Sequence, residues 1–281
     1  MRYTVIIPHY NTPELLREAI ASVPVREDLE VLVSDDKDGR GAGWARNQML
    51  PKAQGEWLLF LDADDCFTPD AFRAFDRMTE STEADLIFFR LCSTFADTGE
   101  PSNRDAHLNR LVEAYLQAPT AHNGNVLRYH FHEPVAKLIR RSIVMEHHIT
   151  FEEVRWANDV RFSAEVGHYA RSIAAAPDIV YDARVRYGSL VNQHTLASRR
   201  CRYEVMLRHN KMLRQWGHPE MQESLMFSLR RAFALGGMRA LIEFIRLGRQ
   251  YDAQFLVGWK AWLKNAFNKE EKTGKERYIV S

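Results

Sequence analysis

The sequence has few cysteines and no long apolar run. Its three cysteines, Cys66, Cys92 and Cys201, are widely spaced and form no zinc or redox motif, which favours a reducing compartment. No uncharged apolar segment approaches the roughly 20 residues of a membrane-spanning helix, and the N-terminus lacks a signal-peptide pattern. We therefore expect a cytoplasmic chain, with the inner face of the cell membrane as an alternative location.

A large net charge of either sign is also lacking. The 281 residues carry 38 basic and 37 acidic side chains, so a nucleic-acid partner is not expected. There is no Walker lysine loop and no Gly-x-Ser-x-Gly elbow. The glycines of 39–43 fail the dinucleotide fingerprint because Trp44 stands at the third glycine position, and we interpret this segment as a flexible loop.

Short apolar runs alternate with amphipathic segments in the first hundred residues. Strands are predicted over Tyr3–Ile7, Leu29–Ser34, Trp57–Leu61 and Asp85–Leu91. Helices are predicted from Pro13, capped by Asn11 or Thr12, and after Thr68-Pro69-Asp70. This alternation predicts an α/β fold, with a mostly parallel sheet covered by helices on both faces.

The pattern changes further along the chain. Residues 97–105 and 118–125 are predicted to be loops, and residues 196–267 are predicted to be helical. We therefore divide the chain into a domain over 1–195, with halves 1–100 and 101–195, and a helical C-terminal extension over 196–281.

Polar clusters follow three of the predicted strands: Pro8-His9-Tyr10-Asn11, Asp35-Asp36 and Asp62-Ala63-Asp64-Asp65. Ligands of open α/β sheets bind beyond the carboxyl ends of the strands, so these clusters are expected to converge. Neighbouring carboxylates repel one another unless a cation neutralises them, which favours Mg²⁺ or Mn²⁺ at the last cluster. The alternative is a solvated acidic turn that caps the next helix.

The motifs together resemble the family 2 glycosyltransferases with the GT-A fold. The segments that carry the resemblance are 5–11, 30–36, 43–47, 53–57 and 61–65, in that order, and more weakly 133–165. The resemblance implies a catalytic GT-A domain over 1–195, with a nucleotide-sugar-binding half and an acceptor-side half. It also implies inverting transfer of a sugar from a nucleotide-diphosphate donor, most simply a UDP-sugar, to a glycan or lipid-linked acceptor in surface polysaccharide synthesis.

Roles for single residues follow from the same resemblance. Nucleotide-sugar-binding positions would be Pro8, Tyr10, Asn11, Asp35, Asp36, Arg46, Asp62 and Ala63. Asp64 would hold the Mn²⁺ or Mg²⁺ ion that bridges the phosphates, and His194, after a loop that begins at Arg186, is a further candidate ligand. Asp65 is assigned to capping the following helix at least as readily as to the ligand.

Asp159 matches the family's catalytic base. Inverting transfer needs a group that takes the proton of the attacking hydroxyl. Asn158 replaces the family's usual Glu, and the loss of a negative neighbour should favour ionisation of Asp159. The alternative is that both residues only cap a helix. Trp156 is assigned to sugar stacking and Lys137 to support of the site, whereas Arg140 and Arg141 are interpreted as a solvated helix face.

The C-terminal extension is basic and aromatic. Between residues 224 and 267 basic side chains exceed acidic ones by five, among several Phe and Trp residues. Such helices bind anionic membrane surfaces, pack on a catalytic domain or form a homodimer contact, and the sequence favours none of these.

Two rivals to sugar transfer remain open. A sugar nucleotidyltransferase shares the parallel sheet and metal-bound carboxylates, but its glycine-rich basic loop is missing here. A catalytically silent nucleotide-sugar-binding module would retain the fold, and Asn158 is the sequence feature that points to it.

Overall fold

The computed structural model describes residues 1–186 and 194–259. The chain divides into two compact units, one over 1–186 and the other from 187 onward. The strands of the first unit are β1 (Tyr3–His9), β2 (Leu29–Asp35), β3 (Trp57–Phe60), β4 (Cys66–Phe67), β5 (Leu86–Phe95), β6 (Lys137–Arg140) and β7 (Ile173–Val185). Its helices are α1 (Pro13–Ala21), α2 (Ala42–Met49), α3 (Ala71–Ser81), α4 (Ala106–Gln117), α5 (Ala121–His130), α6 (Arg141–Glu146) and α7 (Val160–Tyr169).

The first unit is built on a seven-stranded sheet with the order β2-β1-β3-β6-β5-β7-β4. β1 pairs in parallel with β2 and β3, and β5 pairs in parallel with β7. β6 runs antiparallel to both β3 and β5, and β4 runs antiparallel to β7. The predicted α/β class is confirmed, and the four predicted strands correspond to β1, β2, β3 and β5. The sheet is mixed rather than mostly parallel, because β6 and β4 run opposite to the other five strands.

Apolar runs place the polar clusters at one edge of this sheet. Residues 3–8 of β1 and all of β3 are buried, as the continuous apolar sequence of a central strand requires. β1, β2 and β3 are parallel neighbours, so the residues after them share an edge. The register places His9 opposite Asp35, and Leu61 donates a hydrogen bond from its N–H to the Ile6 carbonyl at 3.1 Å.

An aromatic cluster connects this edge to the second half of the unit. Phe151 and Phe162 are stacked with ring centroids 3.9 Å apart, and Phe60 meets each of them edge-on at 5.3 Å. All three rings are buried. The cluster therefore joins the end of β3 to residue 151 and to α7.

The structure corrects the predictions for residues 118–125 and for Arg140 and Arg141. Residues 121–125 are helical rather than a loop, because Thr120 caps α5 by accepting the Asn123 N–H at 3.2 Å. Arg140 and Arg141 are not a solvated helix face. Arg140 ends β6, pairs with Glu56 and stacks on Trp57 at 4.4 Å, and Arg141 donates from Nε to the Gly55 carbonyl at 2.9 Å.

The second unit contains α8 (Leu196–Gln215) and α9 (Met226–Gln250). Their contact is apolar and includes Tyr203 and Phe244, whose rings stack at 4.9 Å. Helical structure was predicted here and is confirmed as far as residue 250. Among the helices in 1–186 and 194–259, none is long and apolar enough to cross a membrane.

Candidate active site

His9 fixes the loop after β1. Its Nε2 accepts the Thr12 N–H at 3.0 Å, so the ring proton is on Nδ1, which donates to Asp35 Oδ1 at 3.3 Å. Thr12 is the residue before α1, but its side chain makes no capping bond. Asp35 is exposed, and its carboxylate faces solvent beside the loop. Sequence analysis gave His9 no role of its own, although its imidazole orients Asp35.

Asp36 organises the next loop. Its buried carboxylate accepts the backbone N–H groups of Arg40 and Gly41 at 2.9 and 2.6 Å. The predicted recognition of a base by Asp36 stays a prediction, and the structure gives the carboxylate a second task in holding residues 37–41. Tyr10 is 53 % exposed, and its ring lies over Gly39, where an added Cβ would be 3.4 Å from the ring hydroxyl. An exposed aromatic ring such as that of Tyr10 can stack on a nucleobase.

One face of α2 contacts the segment that precedes α7. Gly43, Arg46 and Asn47 have the spacing of neighbours on a helix surface. A Cβ on Gly43 would lie 2.3 Å from the Glu152 carbonyl oxygen. Asn47 donates to the Phe151 carbonyl at 3.0 Å and accepts the Phe151 N–H at 2.8 Å. The interpretation of residues 39–43 as a flexible loop is therefore wrong at Gly43, which belongs to α2 and packs against the backbone of Glu152.

Arg46 joins the two halves of the unit. Its guanidinium is buried and donates from Nη2 to Asp62 Oδ1 at 2.5 Å and from Nη1 to Asn158 Oδ1 at 3.0 Å. The carbon at the centre of the guanidinium lies 5.1 Å from the centroid of the Phe151 ring. Asp62 and Asn158, 96 positions apart in sequence, are thus held by one side chain.

The acidic turn, residues 62–65 after β3, contains two kinds of carboxylate. Asp62 and Asp64 are partly exposed, and each pairs with one arginine, Asp64 with Arg186 at 2.5 Å. Asp65 is buried and accepts the Tyr181 hydroxyl and the Arg184 N–H, both at 2.7 Å. Burial, with the charges of Asp64 and Asp62, raises the pKa of Asp65 well above its usual value. Asp65 does not cap the next helix, which begins after Asp70.

Tyr181 is a site residue that sequence reasoning missed. Its hydroxyl also accepts the Asp62 N–H at 3.1 Å, so it supports the turn from two sides. Tyr181 lies in an apolar stretch of β7, 116 residues after Asp65, and no local pattern distinguishes it from other core residues.

The carboxylate oxygens of the acidic turn suit a hard divalent ion as ligands. Carboxylate oxygens are the ligands that Mg²⁺ and Mn²⁺ prefer, and Asp62 and Asp64 offer them at a partly exposed position. Across 1–186 and 194–259, the turn does not belong to a group of three carboxylate or imidazole ligands within 4.8 Å of one another. An ion here would therefore take its remaining ligands from phosphate and water, as Mg²⁺ commonly does.

The Asp159 carboxylate lies at the start of α7. It precedes the first helical residue, but its side chain makes no capping hydrogen bond. The helix-capping alternative is therefore wrong for its side chain. Burial, assisted by the negative charge of Glu133, raises the pKa of Asp159 to about 6, and Arg46 and His132 oppose the shift. At neutral pH this carboxylate is mostly ionised and able to accept a proton.

Lys137 is buried, and its ammonium group interacts electrostatically with Glu133 and Asp159. Burial lowers its pKa to about 7, and the two carboxylates oppose this shift. Its Nζ donates to the Phe131 carbonyl at 2.6 Å and lies 4.5 Å from the centroid of that ring. Its predicted supporting role stays a prediction. Glu133 lies in the segment 133–165 and was given no role from the sequence, yet its charge raises the pKa of both Lys137 and Asp159.

The remaining predicted residues are placed as follows. Pro8 and Ala63 are buried, and Asn11 is exposed in a left-handed conformation with φ 51°. Trp156 is half-buried, with the Arg155 guanidinium 5.1 Å from its ring centroid. His194 belongs to the second unit, where its Nδ1 accepts from Arg199 at 2.7 Å, and burial and nearby arginines lower its pKa. Its role as a metal ligand stays a prediction, and 187–193, most of the predicted loop, lie outside the described residues.

Comparison with known proteins finds similarity to glycosyltransferases. The model of the family described as glycosyl transferase family 2 matches residues 37–147. "Putative glycosyltransferase EpsH" of Bacillus subtilis is 24% identical over 68% of this chain and 63% of its own length. The poly(ribitol-phosphate) beta-glucosyltransferase of Bacillus spizizenii is 23% identical over 64% of this chain and 32% of its own. The chain thus spans less than two thirds of these relatives.

Solved structures share the fold. A crystal structure of Staphylococcus aureus TarS 1–349 in complex with UDP-GlcNAc superimposes with a TM-score of 0.58 at 19% identity, covering 88% of this chain and 81% of that one. The mannosyltransferase PcManGT of Pyrobaculum calidifontis, in complex with GDP-Man and Mn²⁺, gives a TM-score of 0.53 at 18% identity, covering 97% and 82%. Together with the ordered motifs, the family match over 37–147 and these likenesses show that the chain resembles the family 2 glycosyltransferases and shares the GT-A fold.

Proposed function

We propose that the chain is an inverting, metal-dependent hexosyltransferase that moves a sugar from a UDP-sugar to a glycan or lipid-linked oligosaccharide in surface polysaccharide synthesis. The observation that carries this proposal is the contact of α2 with the segment before α7. Through Arg46, the acidic turn that would bind the donor is held beside Asn158 and Asp159. Donor-binding and base groups thus belong to one site.

The donor side is supplied by three strand ends. Tyr10 would offer its exposed ring to the base, Asp35 would offer its exposed carboxylate, and Asp62 would contact the ribose. TarS was solved with UDP-GlcNAc and PcManGT with GDP-Man, so uracil and guanine are the two candidate bases. We favour uracil because of the greater likeness to TarS.

Asp64, with Asp62, would hold the Mn²⁺ or Mg²⁺ ion. When bound, the ion neutralises the charge that develops on the departing diphosphate. Arg186 pairs with Asp64 and would add a positive charge beside the same phosphates. The ion would therefore compete with a guanidinium for Asp64.

Asp159 would act as the general base. The acceptor hydroxyl oxygen attacks the anomeric carbon while the bond from that carbon to the diphosphate oxygen breaks on the opposite side. Asp159 takes the hydroxyl proton as the new glycosidic bond forms, and the nucleoside diphosphate leaves with the bonding electron pair. One displacement of this kind inverts the anomeric configuration.

A screen of nucleotide sugars tests the proposal. Melting temperature is measured with UDP- and GDP-linked sugars, with and without Mn²⁺, because a ligand of the native state raises it by mass action. The hits are then incubated with glycan acceptors, and the products are analysed. Release of nucleoside diphosphate with a new inverted glycosidic bond supports the proposal. Formation of sugar nucleotide from nucleoside triphosphate would indicate a nucleotidyltransferase, and binding without any turnover would indicate the silent module.

A further inference from the structure

A projecting apolar segment lies in the middle of α9. Residues 233–239 are all exposed, although two turns of a packed helix normally bury one face. Phe233 is 50 % exposed, Leu235 48 % and Met238 60 %. Gly237 interrupts the helix with φ 61°, a conformation that favours glycine. We call residues 233–238 the apolar kink.

The flanks of the apolar kink are basic. α9 contains five arginines and one acidic residue, Glu243. Within the described ranges, Arg230, Arg239, Arg246 and Arg249 have no ion pair, and Arg230, Arg239 and Arg246 are exposed. Glu243 is neutralised by Arg200, to which it is bonded at 2.5 Å. The uncompensated charge beside the apolar kink is therefore positive.

A groove adjoins the basic flank. It has a volume of about 650 Å³ and lies between α8 and α9, with its lining formed by Arg200, Arg239, Ile242, Glu243, Arg246, Leu247 and Gln250. Arg239 and Arg246 bring two unpaired guanidinium groups to it, and Gln250 adds an amide. Guanidinium groups bind phosphate with paired hydrogen bonds, so we call this cavity the arginine groove and assign it to a phosphate-bearing headgroup.

We propose that the apolar kink and the arginine groove form a docking surface for an anionic phospholipid membrane. A soluble polyanion would use the arginines but would gain nothing from exposed Phe, Leu and Met side chains. A second copy of the chain would bring the same uncompensated arginines and repel them. A phospholipid surface offers both acyl chains for the apolar kink and phosphate for the arginine groove. The sequence suggested that residues 224–267 could contact a membrane, and the proposed surface is limited to the apolar kink and the arginine groove. Phe244 is excluded because it is a core residue, and residues 260–267 lie outside the described residues.

Co-sedimentation of the full chain with lipid vesicles tests this surface. Vesicles of phosphatidylcholine are compared with vesicles that also contain phosphatidylglycerol, at low and high salt. We expect binding to the anionic vesicles, weakened by salt because screening shortens the range of the attraction. Arg239→Gln with Arg246→Gln should lower the partition coefficient by about 30-fold, at roughly a fivefold effect per basic residue. Phe233→Ser, Leu235→Ser and Met238→Ser together should lower it by at least tenfold.

Matched controls separate the surface from general effects. Arg17→Gln with Arg73→Gln removes two exposed positive charges from the first unit, and Val25→Ser removes a fully exposed apolar side chain there. Both should bind like the wild type. Circular dichroism checks that each variant is folded.

Three results would overturn the proposal. Equal recovery of the wild type with neutral and anionic vesicles would remove the electrostatic part. Loss of binding in the arginine variant but not in the apolar variant, with competition by soluble polyphosphate, would make the surface a polyanion site. A wild-type dimer that the apolar variant converts to a monomer in analytical ultracentrifugation would make it a contact between copies.

Discussion

The two units use their charged side chains in opposite ways. Around the candidate active site of the first unit, several charges are paired within the chain, as in Arg46 with Asp62 and Arg186 with Asp64. In α9 of the second unit, four arginines have no acidic partner in the described parts of the chain, and apolar side chains beside them are exposed. Paired charges fix a geometry before a ligand arrives, whereas unpaired ones favour a partner outside the chain. Substitutions at the candidate active site should therefore change sugar transfer or ligand binding, and substitutions on the exposed surface of α9 should change membrane binding.

Asp159→Asn is expected to have the largest effect. Turnover should fall by about two to four powers of ten, because the amide cannot take the hydroxyl proton, while donor affinity stays near wild type. The measurement is steady-state transfer together with donor binding by calorimetry. Asp97→Asn, at an exposed position in a turn, is the matched control. Full turnover in the Asp159 variant would place the base elsewhere.

The same variant should not weaken the fold. The folded chain holds the Asp159 proton up to a pKa of about 6, above the usual 3.8, so the ionised carboxylate costs stability as the pH rises through that window. Asn removes this cost. The melting temperature at pH 8 should equal or exceed that of the wild type, and a marked decrease would mean that loss of turnover reflects damage to the fold.

Asp64→Ala should abolish metal-dependent binding of the nucleoside diphosphate, lowering affinity at least tenfold, since the ion loses a protein ligand. Calorimetry with Mn²⁺ measures this. Asp65→Ala is an instructive contrast. It leaves the Tyr181 hydroxyl and the Arg184 N–H without their acceptor, so the expected loss is about 1–3 kcal/mol of folding free energy. Unchanged metal dependence in Asp64→Ala would remove the metal assignment.

Gly43→Ala tests whether α2 positions the base segment. The new Cβ would lie 2.3 Å from the Glu152 carbonyl oxygen and 3.1 Å from Asn158 Cβ, so the backbone must move. We expect a loss of about 1–3 kcal/mol and reduced turnover. Gly124→Ala in α5 is the control, because its Cβ would have ordinary contacts of 3.5 Å or more and alanine favours helix. Equal stability of both variants would contradict close packing at Gly43.

Much of the fold and the site could be predicted because the information is local. Apolar runs that end in polar clusters predicted β1, β2 and β3, and the order of the motifs indicated the resemblance to the family 2 glycosyltransferases and the acidic turn. Other features depend on contacts between distant residues. The antiparallel position of β6 arises from sheet pairing, and the burial of Asp65 depends on Tyr181, 116 positions later. Likewise, a negative neighbour for Asp159 was sought at position 158, where Asn stands, but Glu133 supplies it from 26 positions earlier.

Glu133 provides the smallest effect and the finest test of the site. Its charge raises the pKa of Asp159, so Glu133→Gln should lower that pKa and move the acidic limb of the kcat/KM profile downward from about pH 6, by less than about one unit. Asn158→Glu adds a negative neighbour and should move the same limb upward. Glu133 also raises the pKa of Lys137, so any basic limb should shift downward in Glu133→Gln as well, and only the acidic limb reports on the base.

The two variants are measured across pH with one donor and one acceptor. Opposite shifts of the acidic limb would show that a carboxylate close to both Glu133 and Asn158 carries the titration. A purely structural role of Asp159 would not produce such shifts. If both limbs stay in place while turnover falls, Glu133 acts through packing, and the electrostatic link between Glu133 and Asp159 is wrong.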